Sequence, residues 1–115
     1  MKKFINNVAD VENEMIQGFV KAYPQYVRKL DAGNILVRNQ KSENKVAVIT
    51  GGGSGHEPGH CGYVGEGMLD AFVAGAVFTS PTPDMIYEAI KATATEKGVL
   101  LSVMNYPMAI SLIYT

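Results

Sequence analysis

A glycine-rich stretch set directly behind a short apolar run constrains this chain more than any other feature. Val46-Ala47-Val48-Ile49 reads as a buried strand, ended by the glycines that follow Thr50. Six of the thirteen residues from Thr50 to Gly62 are glycine. Glycine costs folding entropy, so this density implies a backbone that turns sharply or lets something approach closely. Both histidines of the chain, His56 and His60, fall inside the stretch, together with Ser54, Glu57 and Cys61.

The rest of the chain frames that stretch as part of one modest α/β domain. A length of 115 residues allows one domain or a portion of one. A net charge of −1 gives no basic face for nucleic acid, so none is expected as a partner. No apolar run reaches the length of a membrane span, and the opening Met1-Lys2-Lys3-Phe4-Ile5 lacks the apolar core of a signal peptide. A single cysteine excludes an internal disulfide framework and suits a reducing compartment. The expected location is therefore cytoplasmic.

Val11, Met15, Phe19 and Val20 recur at helical spacing, with Asp10 placed to cap them and Pro24 to end them. Tyr26 to Asn34 reads as irregular, Ile35-Leu36-Val37 as a short strand, and the polar segment 38–45 as a surface loop without functional weight. The apolar run from Met68 to Phe78 fits a helix or packed connections, and its periodicity does not choose. Thr82, Pro83 and Asp84 are suited to the cap and first turn of a helix. That helix carries a stripe of Ile86, Ala89, Ile90 and Thr93, and Lys97-Gly98 is placed to stop it. Val99 to Met104 reads as a second buried strand. Two buried strands separated by a helix make a parallel βαβ unit with a right-handed crossover. Ligands of such sheets bind beyond the carboxyl ends of the strands. The glycine-rich stretch and the residues from Asn105 onward should thus share one rim.

His56-Glu57-Pro58-Gly59-His60 spells the two-histidine pattern of zinc proteases, which works only on a helix. Pro58 and Gly59 forbid that helix, and no third ligand is evident, so no metal is expected. The run Gly51-Gly52-Gly53-Ser54-Gly55 suggests a phosphate cradle. It lacks the lysine of a nucleotide loop, and Pro58 stands where a dinucleotide loop needs glycine. Two readings stay open. One is a site for a very small polar substrate, with His56 taking a proton from a hydroxyl and Ser54 adding a donor or acceptor. The other is a tight strand-to-helix connection whose histidines merely satisfy backbone groups. Cys61 has no oriented base partner in the sequence and reads as a packed thiol.

The stretch from Ile49 to Leu69, reading ITGGGSGHEPGHCGYVGEGML, resembles the signature of dihydroxyacetone kinases. Phe78-Thr79-Ser80-Pro81-Thr82-Pro83-Asp84 with Ile86-Tyr87-Glu88-Ala89 is similar to the family's next block, and Gly98 to Leu101 with Asn105-Tyr106 to the one after. The opening Met1 to Asn6 resembles the K subunit of the bacterial, phosphotransferase-system-dependent enzymes. The resemblance spans residues 1 to 106, as the N-terminal part of a K domain. It implies an α/β subunit that binds dihydroxyacetone through Gly52, Gly53, Ser54, Gly55 and His56, with His56 as acid/base to a substrate hydroxyl. It further implies a phosphoryl donor nucleotide on a separate L subunit, recharged by an M subunit, so that this chain binds no cofactor itself. The full-length subunit is expected to be a homodimer.

The chain departs from the pattern in three places. Full K subunits are much longer, and their covalent anchor, a second histidine that joins the substrate carbonyl, lies in the part not matched here. Met104 stands where the family has lysine. Beyond Tyr106 the family continues with a small hydroxyl residue and Gly-Asp, whose aspartate binds substrate, whereas this chain reads Pro107 to Thr115 with no aspartate. Codons can be chosen for Met108 to Tyr114 that, read two bases further on, give Gly-Asp-Ile-Ile-Asn-Leu, close to the expected continuation. The tail 107–115 is therefore expected to be an out-of-frame translation. On this reading the chain is an inactive fragment of a kinase subunit, prone to associate because its sheet edge is uncovered. The alternative is a K-like dihydroxyacetone sensor that works with a transcriptional regulator.

Overall fold

A computed structural model describes residues 1–104, and the expectations for Asn105 onward lie outside the described residues. The first helix, α1 (Val11–Ala22), turns its apolar stripe inward and buries Ile16 completely. Asp10 stands at the N-cap as expected, but its side chain makes no capping bond there. Asn7 does the capping one turn earlier, accepting from the Ala9 amide across a 3-10 turn at Val8–Asp10. The helix closes at Tyr23, whose amide donates to the Phe19 carbonyl, and Pro24 then prevents continuation.

The segment read as irregular contains a strand, β1 (Val27–Lys29), paired antiparallel to β2 (Ile35–Arg38). Three residues are too few to display an alternating pattern, so the hairpin is set by its pairing rather than by its local sequence. β3 (Ala47–Ser54) starts one residue later than expected and runs four further, straight through the glycines. The undecided run 68–78 resolves into β4 (Ala71–Val77), paired parallel to β3 and antiparallel to β2. Its Phe72 and Ala74 face a cluster with Ile16, Val27, Leu36 and Cys61, while Ala71 and Val73 face one with Ile35, Ile49, Ile86 and Ala89. A strand apolar on both faces shows no alternation, which is why its periodicity decides nothing.

α2 (Pro83–Thr93) packs on the second of these clusters, with Thr82 at the N-cap position and Pro83 in the first turn as expected, but the Thr82 side chain makes no capping bond. Ile86, Ala89 and Thr93 are buried and Ile90 packs beside them. The helix ends at Thr93, short of Lys97-Gly98. A separate turn follows, in which the Gly98 amide donates to the Thr95 carbonyl at 3.0 Å and Gly98 takes a φ of 98° open chiefly to glycine.

β5 (Val99–Val103) returns parallel to β3, from Ala47 opposite Val99 to Gly51 opposite Val103. The sheet order is β1-β2-β4-β3-β5, so three parallel strands carry an antiparallel hairpin on one side. The helices lie on opposite faces, α1 on the Phe72 side and α2 on the Val73 side. The expected parallel unit is present, but β5 is not a buried strand. It forms a sheet edge, with Leu100 56% and Leu101 41% exposed. Among the described residues no helix is long and apolar enough to cross a membrane.

Candidate functional site

β3 and β4 deliver their carboxyl ends to the same rim, and the glycines of β3 let other chain segments close on it. A Cβ at Gly53 would lie 2.7 Å from the Thr79 amide nitrogen and 2.9 Å from Phe78 Cα. A Cβ at Gly51 would sit 3.0 Å from Ile86 Cδ1, and one at Gly52 would run into the Met104 thioether. The first three glycines are therefore strand residues needed for close approach, and the loop begins only after Ser54. Ser54 is buried, and its hydroxyl donates to the Gly75 carbonyl at 2.8 Å, tying β3 to β4 where both end.

Gly55 turns the chain outward with a φ of 123°. Its amide donates to the Glu57 carboxylate, at 3.0 Å to Oε2 and 3.3 Å to Oε1, so Glu57 serves as a loop tie. His56 is exposed, and its Nδ1 lies 2.7 Å from the Gly59 carbonyl. A carbonyl only accepts, so Nδ1 carries the proton and the neutral ring presents Nε2 as a base. Residues 56 to 60 form turns, with no helix to set the two histidines on one face. His60 instead reaches back to β3, with Nδ1 2.9 Å from Thr50 Oγ1, and the Thr50 hydroxyl donates to the Ser102 carbonyl at 2.7 Å. An open cleft of about 570 Å³ is lined by His56, Pro58, Gly59, His60, Tyr63 and Met104.

Cys61 is fully buried against the α1 side of the sheet, its thiol 3.6 Å from the Pro58 carbonyl. Burial first, and then the Glu57 charge, push its pKa above the ordinary thiol value. It stays a packed thiol, as its sequence setting suggests.

Two features escape the sequence. Asp70, one residue before β4, is buried and holds the polar loop 38–45 to the opposite, amino end of the sheet. Its Oδ2 accepts from Lys45 Nζ and from the Val48 amide, each at 2.8 Å; its Oδ1 accepts from the Ser42 hydroxyl, with Arg38 at 3.7 Å. Burial raises the carboxyl's pKa, but the bonds from Lys45, Ser42 and Val48 outweigh it and hold the group below the ordinary aspartate value. The one available signal is a charged residue immediately ahead of an all-apolar strand. At the rim itself, Ser80 buries a hydroxyl that has no hydrogen-bond partner among the described residues.

A parallel three-strand core with an antiparallel hairpin on one side and a helix on each face defines an α/β domain. The Dak1 domain model matches residues 17–108, and the chain belongs to that family. The chain is 52% identical over 106 residues to the dihydroxyacetone-binding subunit DhaK of a PTS-dependent dihydroxyacetone kinase from Listeria innocua, covering 92% of this chain and 32% of the relative. It is 42% identical over 104 residues to the DhaKLM operon coactivator DhaQ of Lactococcus lactis, covering 90% and 31%. The crystal structure of the dihydroxyacetone kinase from C. freundii in complex with AMP-PNP and Mg2+ superposes with a TM-score of 0.90 at 40% identity, covering 98% of this chain and 22% of that one. The chain spans about a third of the length of the curated subunits it matches.

Proposed function

We propose that this segment is the hydroxyl-binding side of a dihydroxyacetone site, in a K-type subunit of the phosphotransferase-system-dependent kinase. The observation that carries the reading is His56, exposed at the cleft with Nδ1–H spent on the Gly59 carbonyl and Nε2 left as a proton acceptor. Gly52, Gly53 and Gly55 crowd other chain segments against β3, and what this stretch offers a three-carbon ligand is its main-chain N–H and C=O groups at the rim. Ser54 contributes through its main chain, because its hydroxyl proton is already committed to Gly75. In the transfer step His56 Nε2 takes the proton from a substrate hydroxyl as that oxygen bonds to phosphorus and the donor's bridging P–O bond breaks. The donor nucleotide belongs to an L subunit recharged by an M subunit, and the full-length K subunit is a cytoplasmic homodimer. The 115-residue chain alone performs no transfer, and its tail from Pro107 is an out-of-frame translation.

A second reading rests on Met104. An apolar thioether closes over Gly52 where the resembling enzymes carry lysine, which favours a dihydroxyacetone sensor paired with a transcriptional regulator. The coactivator DhaQ is among the relatives, at 42% identity against 52% for the Listeria DhaK subunit.

The test is a graft in which residues 1–104 replace the aligned part of the Listeria subunit, supplied with L and M subunits. The kinase reading expects turnover that falls about 10²- to 10⁴-fold on His56→Ala, the usual contribution of an acid/base residue. Turnover unaffected by that change would reject the role of His56. Binding without turnover, restored by Met104→Lys, would establish the sensor reading instead.

A further inference from the structure

We infer that His60, oriented by Thr50, is a second ligand-binding residue of the cleft, accepting a hydrogen bond from a second hydroxyl of the bound molecule; this rests on the dihydroxyacetone reading above. Thr50 is buried on β3 directly opposite Ser102 of β5, and its hydroxyl has one proton. The Ser102 carbonyl, 2.7 Å away, can only accept, so it takes that proton. The contact of 2.9 Å to His60 must then run the other way, with Nδ1–H donating to the Thr50 oxygen. Neutral His60 is thereby fixed as the Nδ1–H tautomer, and Nε2 carries a lone pair with no hydrogen-bond partner among the described residues.

His56 reaches the same state independently, through Gly59. Both imidazoles line this cleft and both Nδ1 protons are spent on the protein, so when neutral the two rings have only acceptors to offer a ligand. The chemical complement of two acceptors is a molecule with two hydroxyl donors, which dihydroxyacetone supplies. A monophosphate of it has lost one donor and gained acceptor oxygens, leaving one imidazole unpaired. The pair therefore selects the free diol over its phosphorylated product, and so assists product release. Thr50 is a positioning residue in this scheme, and Tyr63 walls the cleft beside His60 with ring centroids 6.3 Å apart.

The experiment uses the 115-residue chain labelled with ¹⁵N-histidine, at a pH where the ring signals are those of the neutral form. Long-range ¹H–¹⁵N spectra should show neutral His60 as the Nδ1–H tautomer. Thr50→Val should release it toward the Nε2–H form, and Thr50→Ser should restore it, an outcome that a purely structural role for Thr50 does not give. In parallel titrations, His60→Ala should weaken dihydroxyacetone binding about tenfold, a hydrogen bond's worth of affinity. The wild-type preference for diol over monophosphate should shrink in the same variant. An Nε2–H tautomer in the wild type, random-coil histidine signals, or a tautomer unmoved by Thr50→Val overturns the assignment. Dihydroxyacetone binding that survives His60→Ala with unchanged affinity removes the role of His60 alone. A wild-type chain that binds no dihydroxyacetone sinks the functional reading and the ligand role together, whatever the tautomer.

Discussion

Gly53→Ala tests whether the glycines of β3 are there for close approach. The added methyl would stand 2.7 Å from the Thr79 nitrogen, 2.9 Å from Phe78 Cα and 3.0 Å from the Phe78 carbonyl carbon. All three are backbone atoms, so no side chain can swing aside, and the β4–α2 connector must move bodily. Gly53 is not in the left-handed region, so the cost comes from contact rather than from backbone strain. Overpacking of this kind costs about 1–3 kcal/mol. At about 4–8 °C per kcal/mol for a domain near this size, the melting temperature should fall by about 4–24 °C. Gly18→Ala is the control, because a Cβ there meets nothing within 4 Å and Gly18 lies exposed in α1. That change should raise stability by about 0.5–1 kcal/mol through lost unfolded-state freedom. Thermal melts followed by circular dichroism, at one fixed protein concentration, compare the two. A Gly53→Ala chain that melts with the wild type, or a destabilised Gly18→Ala chain, would refute the packing argument.

Asp70 should make the fold sensitive to acid. Its folded pKa lies below the unfolded value near 3.8, so its contribution is present above that value and is lost as pH falls through the folded one. Denaturant melts along a pH series should show Asp70→Asn destabilised at neutral pH, by about 1–3 kcal/mol for bonds left poorly made, with a flatter acid limb. An unchanged limb would contradict this. Cys61 has the opposite sign: its folded pKa is raised, so stability should fall as pH rises above the ordinary thiol value of 9.0, and native labelling by a maleimide should wait on unfolding. Rapid labelling of the folded chain would place the thiol at the surface. The uncharged edge β5, with Leu100 and Leu101 exposed, should drive association that Leu101→Lys reduces in sedimentation experiments; a monomeric wild type would remove the prediction.

The features most legible in the sequence are those with local chemical causes. The Thr82-Pro83-Asp84 start of α2, the α1 stripe ended before Pro24 and the parallel pairing of β3 with β5 follow from proline geometry, helical periodicity and apolar runs. What the sequence hides is settled by partners far along the chain. β4 is apolar on both faces because α1 covers one and α2 the other, so neither a helical nor a strand period appears. β3 continues through Gly51, Gly52 and Gly53 because its ladders run along the backbone, where a missing side chain is no obstacle. Lys97 and Gly98 look like a helix stop, yet Thr95 builds a turn of its own by donating to the Lys45 carbonyl at 2.6 Å and accepting from the Lys97 amide at 3.1 Å. In the site, His56 stands out as an isolated imidazole in a glycine loop. The bond from His60 to Thr50 joins two residues whose pairing needs the folded loop, and Asp70 is tied by bonds spanning 22 to 28 positions.

Direct observation of dihydroxyacetone on this chain is the most immediate test of the proposed site. Saturation-transfer NMR reads weak binding of a small ligand without requiring the remainder of a K subunit. The wild-type chain should pass saturation to the methylene protons of dihydroxyacetone, and His56→Ala should abolish most of that transfer while leaving the chain folded by circular dichroism. No transfer to the wild type, or equal transfer to His56→Ala, would contradict a dihydroxyacetone site built on the glycine rim and His56.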